Sequence, residues 1–472
     1  MGADAPPADD DDDAGDDESR PLTRARADDG ALALAPQRTL SVCSAATTLM
    51  KNQVGCSLLS LPSGMGAADG TGFVPALGLC ALLAIIAGRT LYMLGDAARA
   101  TGASDMASLA SVTLGARSSA LINLLVLMFS LIADIMLICF IVELICSSVP
   151  LTRGQALLGV TTTVLTPLAL RHDLSGLRFS SCGGMAAVAF TVVVVVLRSL
   201  DGSYADGTFR DPACASPALG SALAQPSAMR ISWGTFVLFS MLSSAYTAHY
   251  NAVRMYAELA DPSPGRLAAV CALGVGGAAL ANALVMTAGY ATFGAHAHGL
   301  ILSDYAPHDR LAQAARAATL LSILALHPLT FTGLRDAVLA ALKGSRLGDA
   351  AARSRLVWSA LSLGMLAAEA GVSLVAPDVG IIVSFLGALL SSLLVYVVPA
   401  AIHLARLAQA RQQDGDKLAP VARRWAACAS TALAWAIGAM GCASALAGTV
   451  ATYFEMIDGR TPVGCHARSA MI

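Results

Sequence analysis

An all-α integral membrane protein with eleven transmembrane helices is the fold class that this chain of 472 residues predicts. Its residues are 56% hydrophobic and only 13% charged, with a mean hydropathy of +0.65, whereas soluble domains carry about 25% charged residues. Apolar runs near the ~20 residues that a bilayer requires follow one another from residue 39 to residue 456. Polar residues interrupt two of these runs, the first and the sixth.

Residues 1–38 stand apart from the membrane domain. Asp9 to Asp13, Asp16, Asp17 and Glu18 form an acidic block that cannot bury apolar surface, so a disordered cytosolic tail is expected. It has no signal-peptide h-region. The tail is either a solvated extension or a docking segment for a cytosolic partner.

The first span, 41–66, holds Lys51, Asn52, Gln53, Val54, Gly55, Cys56 and Ser57 at its centre. Lipid cannot satisfy freed backbone groups, so a broken helix at bilayer depth is tolerated only beside protein or a water-filled cavity. That makes this stretch a candidate solute site. The second span, 72–95, ends near Asp96, and the third, 118–148, carries Asp134 at its middle and Glu143 toward its outer end. The fourth covers 153–170. The fifth, 177–199, includes the Val192 to Val196 run, read as lipid-facing or core filling. Residues 200–230 follow as an outer loop rich in Pro, Gly and Asp. In the sixth span, 232–256, the residues from Ser240 to Asn251, with Ser244, Ala245, Tyr246 and His249 among them, break the apolar pattern with hydroxyls, an imidazole and an amide. Spans seven to eleven cover 267–293, 310–334, 354–376, 379–404 and 424–455, before a short C-terminal tail at 457–472.

Basic residues accumulate in cytoplasmic loops. With the N-terminus inside, 21 of the 30 Lys and Arg fall on the cytoplasmic side, which favours N-terminus in and C-terminus out. Glu369, Asp378 and Glu455 then lie near outer ends, where solvation accounts for them. Asp96, Arg254, Arg335 and Asp336 lie at inner ends, where ion pairs at an inner gate are an alternative to solvated positions. Nine of the 11 cysteines fall within spans as small hydrophobes; Cys214 and Cys465 are placed outside, where spacing alone cannot establish a bond. No asparagine is in a glycosylation sequon.

The two interrupted spans are five apart. Paired discontinuous helices at equivalent positions of two halves point to an inverted-repeat transporter with its site at the midplane. The N-terminal end of a half-helix offers N–H groups and positive dipole to a carboxylate, and freed carbonyls hold an ammonium or a cation. An amino acid fits both ends. Close helix packing through small and polar residues is the alternative.

Several segments resemble the amino acid/auxin permease family, which includes sodium-coupled neutral and vacuolar amino acid transporters. They are VGCSLLSLP in the first span, TPLALRHDLSGLRFSS at the fourth-to-fifth junction, HYNAVRMYAELADPSPGRL at the sixth-span exit, GYATFG, LHPLTFTGLRDAV and APDVGIIVSFLGALLSSLLVYVVPA. The resemblance implies a LeuT-like fold of a 5+5 inverted repeat plus one helix, moving amino acids by alternating access. It places unwound substrate-binding backbone at Val54, Gly55, Cys56 and Ser57 and again from Ser244 to His249. Tyr256, Glu258, Leu259, Asp261 and Pro262 match the family's cytoplasmic exit and are expected at an inner gate.

The departures from the family concern coupling. Sodium-coupled members usually place an asparagine four residues before the first-helix glycine and a threonine two before the eighth-helix proline. Here those positions are Lys51 and Leu326. An ammonium opposes a sodium ion and a leucine offers no oxygen to a hard cation, so sodium coupling is expected to be lost and the fixed or titratable charge of Lys51 to stand in for it, the carrier being either proton-coupled or simply sodium-independent; a one-residue slip would restore Asn52 to the ligand position. Asp134 is the nearest expected counter-charge for Lys51, their pair being either a proton-coupling element or a permanent internal salt bridge, and His327 and His249 are further candidates for proton handling, each with a packed core role as the alternative.

No Walker loop, GxGxxG opening a soluble domain, HExxH, CxxC pair or GxSxG is present. An enzyme, a cofactor and a nucleic-acid partner are not expected. The lipid bilayer and a small amino acid, neutral by the lack of an extra charge at the breaks, are the expected partners. An amino acid sensor signalling through the acidic tail, or a carrier of another solute such as auxin, are the other readings. Plasma membrane and vacuolar or lysosomal membrane stay equally open.

Overall fold

Ser41 starts the first helix: its hydroxyl accepts the Ser44 N–H at 3.2 Å, satisfying one of the donors that a helix leaves free at its N-terminus. The computed structural model describes residues 40–67, 70–171, 180–204, 209, 227–376, 378–414 and 421–457. The acidic tail, most of the 200–230 loop, the C-terminal tail, Cys214 and Cys465 lie outside the described residues.

In chain order the helices are α1 (Val42–Gln53), α2 (Leu61–Gly66), α3 (Phe73–Thr101), α4 (Met106–Leu114), α5 (Ala116–Ser148), α6 (Arg153–Val160), α7 (Thr166–Ala169), α8 (Ser180–Leu200), α9 (Gly234–Ala245) and α10 (His249–Ala257). They continue with α11 (Pro264–Phe293), α12 (Ile301–Asp304), α13 (Arg310–Ala341), α14 (Arg346–Arg353), α15 (Arg355–Val375), α16 (Val379–Phe385), α17 (Val398–Asp414) and α18 (Val421–Ile457). No β-strand occurs among the described residues; an isolated bridge pairs Leu40 with Leu259.

Among the described residues eight helices are long and apolar enough to cross a membrane, counting α16 through α17 as one. The other three stretches expected to span are helical but interrupted. α1 and α2 are separated by a 3-10 segment, Cys56–Ser60, α9 and α10 by three residues, and α6 and α7 by a π-helical segment, Thr161–Leu165. Two further π-helical segments, Leu386–Ser391 and Leu393–Val397, widen the tenth stretch, where Gly387 backs onto Ser240 so closely that a β-carbon would collide with the Ser240 carbonyl.

The packing places the interrupted helices at the centre. α1 lies on α11, α2 on α9 and α11, α10 on α3, and α9 on the π-helical part of the tenth stretch and on α18. α5 packs on both α13 and α15, and α13 also on α8. Large apolar side chains such as Leu121, Leu158, Leu321 and Leu446 point outward, an exposed surface that water does not tolerate at this extent and a bilayer does.

Arg198, at the end of α8, donates to both Asp309 carboxylate oxygens at 2.8 and 2.7 Å. Asp309 also caps α13, accepting the Leu311 and Ala312 N–H groups, and takes the Tyr204 hydroxyl at 3.0 Å. Beside it the buried Arg316 is spent on the Leu302 and Tyr305 carbonyls. At the opposite end of the bundle the Leu40 N–H reaches the Glu258 carbonyl and the Ala260 N–H the Leu40 carbonyl, each at 3.0 Å. The entry to α1 is thereby clamped to the exit of α10.

Candidate functional site

The two helix interruptions meet. α1 ends at Gln53, Val54 turns to φ −84° and ψ 68°, and Gly55 takes φ −104° and ψ −157° before the 3-10 segment begins. α9 ends at Ala245, and the chain passes through Tyr246, Thr247 and Ala248 into α10. Gln53 Nε2 donates to the Tyr246 carbonyl at 3.0 Å, and the Ser57 and Ser244 hydroxyls lie 3.3 Å apart. A carbonyl released by one break is thus held by an amide from the other, as backbone at bilayer depth requires. A methyl group added at Gly55 would meet no atom within 4 Å, so open space adjoins the first break.

Irregular backbone is narrower than the sequence predicts. Cys56 and Ser57 lie in the 3-10 turn, Ser244 and Ala245 still belong to α9, and His249 opens α10. The Val54 N–H bonds to the Met50 carbonyl at 2.7 Å and the Tyr246 N–H to that of Leu242 at 2.9 Å, so each ladder continues to the edge of its break.

Around the junction the side chains are polar and mostly neutral. The Tyr246 hydroxyl donates to the Cys80 carbonyl of α3 at 3.0 Å. Asn282 of α11 is fully buried with neither amide atom hydrogen-bonded, and Gln53 Oε1 and Ser60 Oγ are also unbonded. Sequence reasoning does not single out Asn282, a neighbour of Tyr246, since a lone amide in an apolar run looks the same whether it lines a site or packs. His249 is buried and its Nε2 pairs with Thr90 Oγ1 of α3 at 2.9 Å, which turns the ring to α3.

The residues expected to handle the coupling ion are spread over α1, α5 and α13. Lys51 and Asn52 lie half-buried in the last turn of α1, and Leu326 packs against the main core. Asp134 is fully buried and neither of its carboxylate oxygens accepts a hydrogen bond, so the expected pair with Lys51 is not formed as a hydrogen-bonded one. Its neighbours are Thr330, Glu369 and Tyr250. His327 is buried, with Nε2 at 3.8 Å from Glu369 Oε2.

Glu369 itself corrects the sequence reading. Expected at a solvated outer end, it is only 1% exposed. The cause is helix packing: α15 lies across α5, where the Ser373 hydroxyl approaches the Ile135 carbonyl at 3.4 Å and that of Glu369 at 2.8 Å. Asp378 caps α16, accepting the Gly380 N–H at 2.6 Å, and Glu143 takes the Ser303 hydroxyl at 3.3 Å.

A cavity of about 310 Å³ opens at the α2 end, lined among others by Ser63, Gly66, Met241, His298, Asp378 and Glu455. His298, in the loop after α11, is bound through Nδ1 to Asp304. Burial opposes a charge on its ring, but Asp304, with Asp378 and Glu143 close by, outweighs burial and pushes its pKa up to about 9. At the clamped end Asp96 pairs with Arg99 at 2.8 Å and Arg406 at 3.3 Å, Arg254 with Glu258 at 3.5 Å, and Arg335 with Asp336 at 3.5 Å.

Comparison with known proteins adds to this geometry. The chain is 25% identical over 390 residues to "Putative sodium-coupled neutral amino acid transporter 11" of Danio rerio, a match covering 80% of this chain and 82% of that protein. It is likewise 25% identical over 385 residues to Solute carrier family 38 member 8 of Homo sapiens, covering 76% and 84%. A similar solved structure is a substrate-bound, outward-open Na+-coupled sialic acid symporter, at 11% identity and a TM-score of 0.49, covering 88% of this chain and 90% of that one. The sequence model of one family, described as transmembrane amino acid transporter protein, matches residues 38–452. This integral membrane chain therefore belongs to the transmembrane amino acid transporter family, a family of carriers and not of enzymes.

Proposed function

We propose that the protein carries neutral amino acids by alternating access, coupled to protons and independent of sodium, on a LeuT-like scaffold of two inverted five-helix repeats plus one helix. The junction of the two breaks through Gln53 to Tyr246 and Ser57 to Ser244 carries this reading. The segments that begin at Cys56 and His249 bring N–H groups and positive dipole to the junction, and α1 and α9 end there with carbonyls. A substrate carboxylate suits the first pair of ends and its ammonium the second. Gln53, Ser57 and Ser244, which hold the junction, bear no charge, which favours a substrate with a neutral side chain.

Helix in each of the eleven expected stretches supports the eleven-span scaffold. The basic-residue count supports a cytosolic N-terminus, so that the Leu40 to Leu259 clamp closes the cytosolic end and the cavity opens on the other. Lys51 in the last turn of α1 and Leu326 in α13 support loss of sodium coupling, because a hard cation needs oxygen ligands. In this the chain would differ from the Danio rerio relative named as sodium-coupled.

Uptake of a radiolabelled neutral amino acid into proteoliposomes, with sodium and pH gradients imposed separately and a Lys51→Asn variant alongside, tests the reading. Uptake driven by the pH gradient alone, and weakened in the variant, is expected. Uptake driven by sodium alone would overturn the proton coupling. No uptake of any amino acid under either gradient would overturn the carrier reading and put the sensor first.

A further inference from the structure

Three titratable side chains from three helices lie near one another: His327 Nε2 of α13 is 3.8 Å from Glu369 Oε2 of α15, and Asp134 of α5 is a neighbour of Glu369. All are at least 99% buried. Among the described residues none of the four carboxylate oxygens accepts a hydrogen bond and His327 Nε2 makes none, although it lies 3.8 Å from Glu369 Oε2. Thr330, beside Asp134, gives its hydroxyl to the His327 carbonyl at 2.9 Å instead. Pro328 interrupts the ladder of α13 at the same point, since it has no N–H to donate.

Such a group is a cost to the fold. Buried polar atoms are almost always hydrogen-bonded, and ionisable residues inside a membrane domain are rare and mark ion or proton pathways. Two carboxylates in a dry interior without a hydrogen-bonded cation are tolerated when one of them holds a proton. Other charged and titratable groups near this place are Arg153 of α6 and Cys139 of α5, which donate to the Ser373 carbonyl one turn along α15 at 2.8 and 4.0 Å, and Tyr250 of α10, a neighbour of Asp134. Arg335 of α13 is turned away, to the Ala169 carbonyl and the Trp358 ring.

We infer that Glu369 is the residue that binds the transported proton, with Asp134 as the neighbouring carboxylate that keeps the site from releasing it while the substrate is bound and His327 as the next acceptor. The step moves one proton and no electrons: the Glu369 carboxylate takes a proton from the side facing the higher proton concentration and yields it through the His327 imidazole on the other. This inference rests on the proton-coupled reading above and names the group that performs it. Coupling then resides between α5, α13 and α15.

Proteoliposomes containing the wild type or Glu369→Gln separate the two claims. Two rates are measured for a radiolabelled neutral amino acid: accumulation driven by a pH gradient, and counterflow against unlabelled substrate without a gradient. A permanently neutral residue 369 leaves exchange running and blocks return of the empty carrier. The expected result is therefore retained counterflow with pH-driven accumulation reduced at least ~10-fold, equal to 1.4 kcal/mol. Accumulation as in the wild type would overturn the assignment to Glu369, whereas a wild type indifferent to the pH gradient would overturn the proton-coupled reading beneath it. If Glu369→Gln loses counterflow as well, Glu369→Asp decides: a shifted pH midpoint of uptake supports the assignment and an unshifted one overturns it.

Discussion

The ion pair joining α8 to α13 and the acidic group between α5 and α15 both hold buried carboxylates, and they differ in what surrounds them. Asp309 accepts from Arg198, Tyr204 and two backbone N–H groups; Asp134 and Glu369 accept from nothing. A carboxylate with its hydrogen bonds complete fixes helices in place, and its removal is costly. One without them weakens the fold and persists where chemistry needs it. The first region is scaffold; the second is the proton site inferred above, and the junction of the two breaks is the proposed substrate site.

The largest expected effect falls on the scaffold. Arg198→Leu leaves Asp309 with Tyr204 and two backbone N–H groups but no cation and should lower stability by up to about 3 kcal/mol, read as a drop in Tm of the purified protein in detergent. A variant that melts with the wild type would remove the contrast. Gly387→Ala comes next, because its β-carbon collides with the Ser240 carbonyl; a loss of about 1–3 kcal/mol is expected. Gly55→Ala is its counterpart at the break, where a methyl group meets nothing within 4 Å. Its Tm should stay within the ~0.5 kcal/mol of a neutral substitution while the KM for uptake changes, and the reverse pattern would place Gly55 in the scaffold.

Glu369→Gln sharpens the comparison from the other side. Removing an unpartnered buried carboxylate should leave Tm unchanged or raised, as replacing buried charges often does. A fall as large as that of Arg198→Leu would show Glu369 to be structural. The smallest effect is that of pH on the loop after α11. His298 has its pKa raised from 6.5 to about 9, so the stability that its bond to Asp304 adds is complete below pH 6.5 and is lost as pH rises through about 9. Thermal unfolding from pH 6 to pH 10 should show this loss, of about 1 kcal/mol or less, and Asp304→Asn should flatten it.

The helix breaks are legible in the sequence because a lysine, two amides and a glycine inside an apolar run do not suit an unbroken helix against lipid, and the second break recurs at the matching span. Their extent is not legible, since the sequence does not show that Tyr246 keeps its bond to Leu242. Glu369 escapes the sequence for a related reason. Its place along the run puts it near an outer end, and only the crossing of α15 over α5 brings it inside. Nor does the sequence show that the Asp134 carboxylate accepts no hydrogen bond among the described residues, because the rotation of each helix about its axis decides which side chains reach it.

A direct test records the internal pH of proteoliposomes with a trapped pH-sensitive dye when a neutral amino acid is added outside in sodium-free buffer. Internal acidification that follows substrate entry, and is absent in Glu369→Gln, is the expected result. Substrate entry with no change in internal pH, or entry only after sodium is supplied, would contradict it.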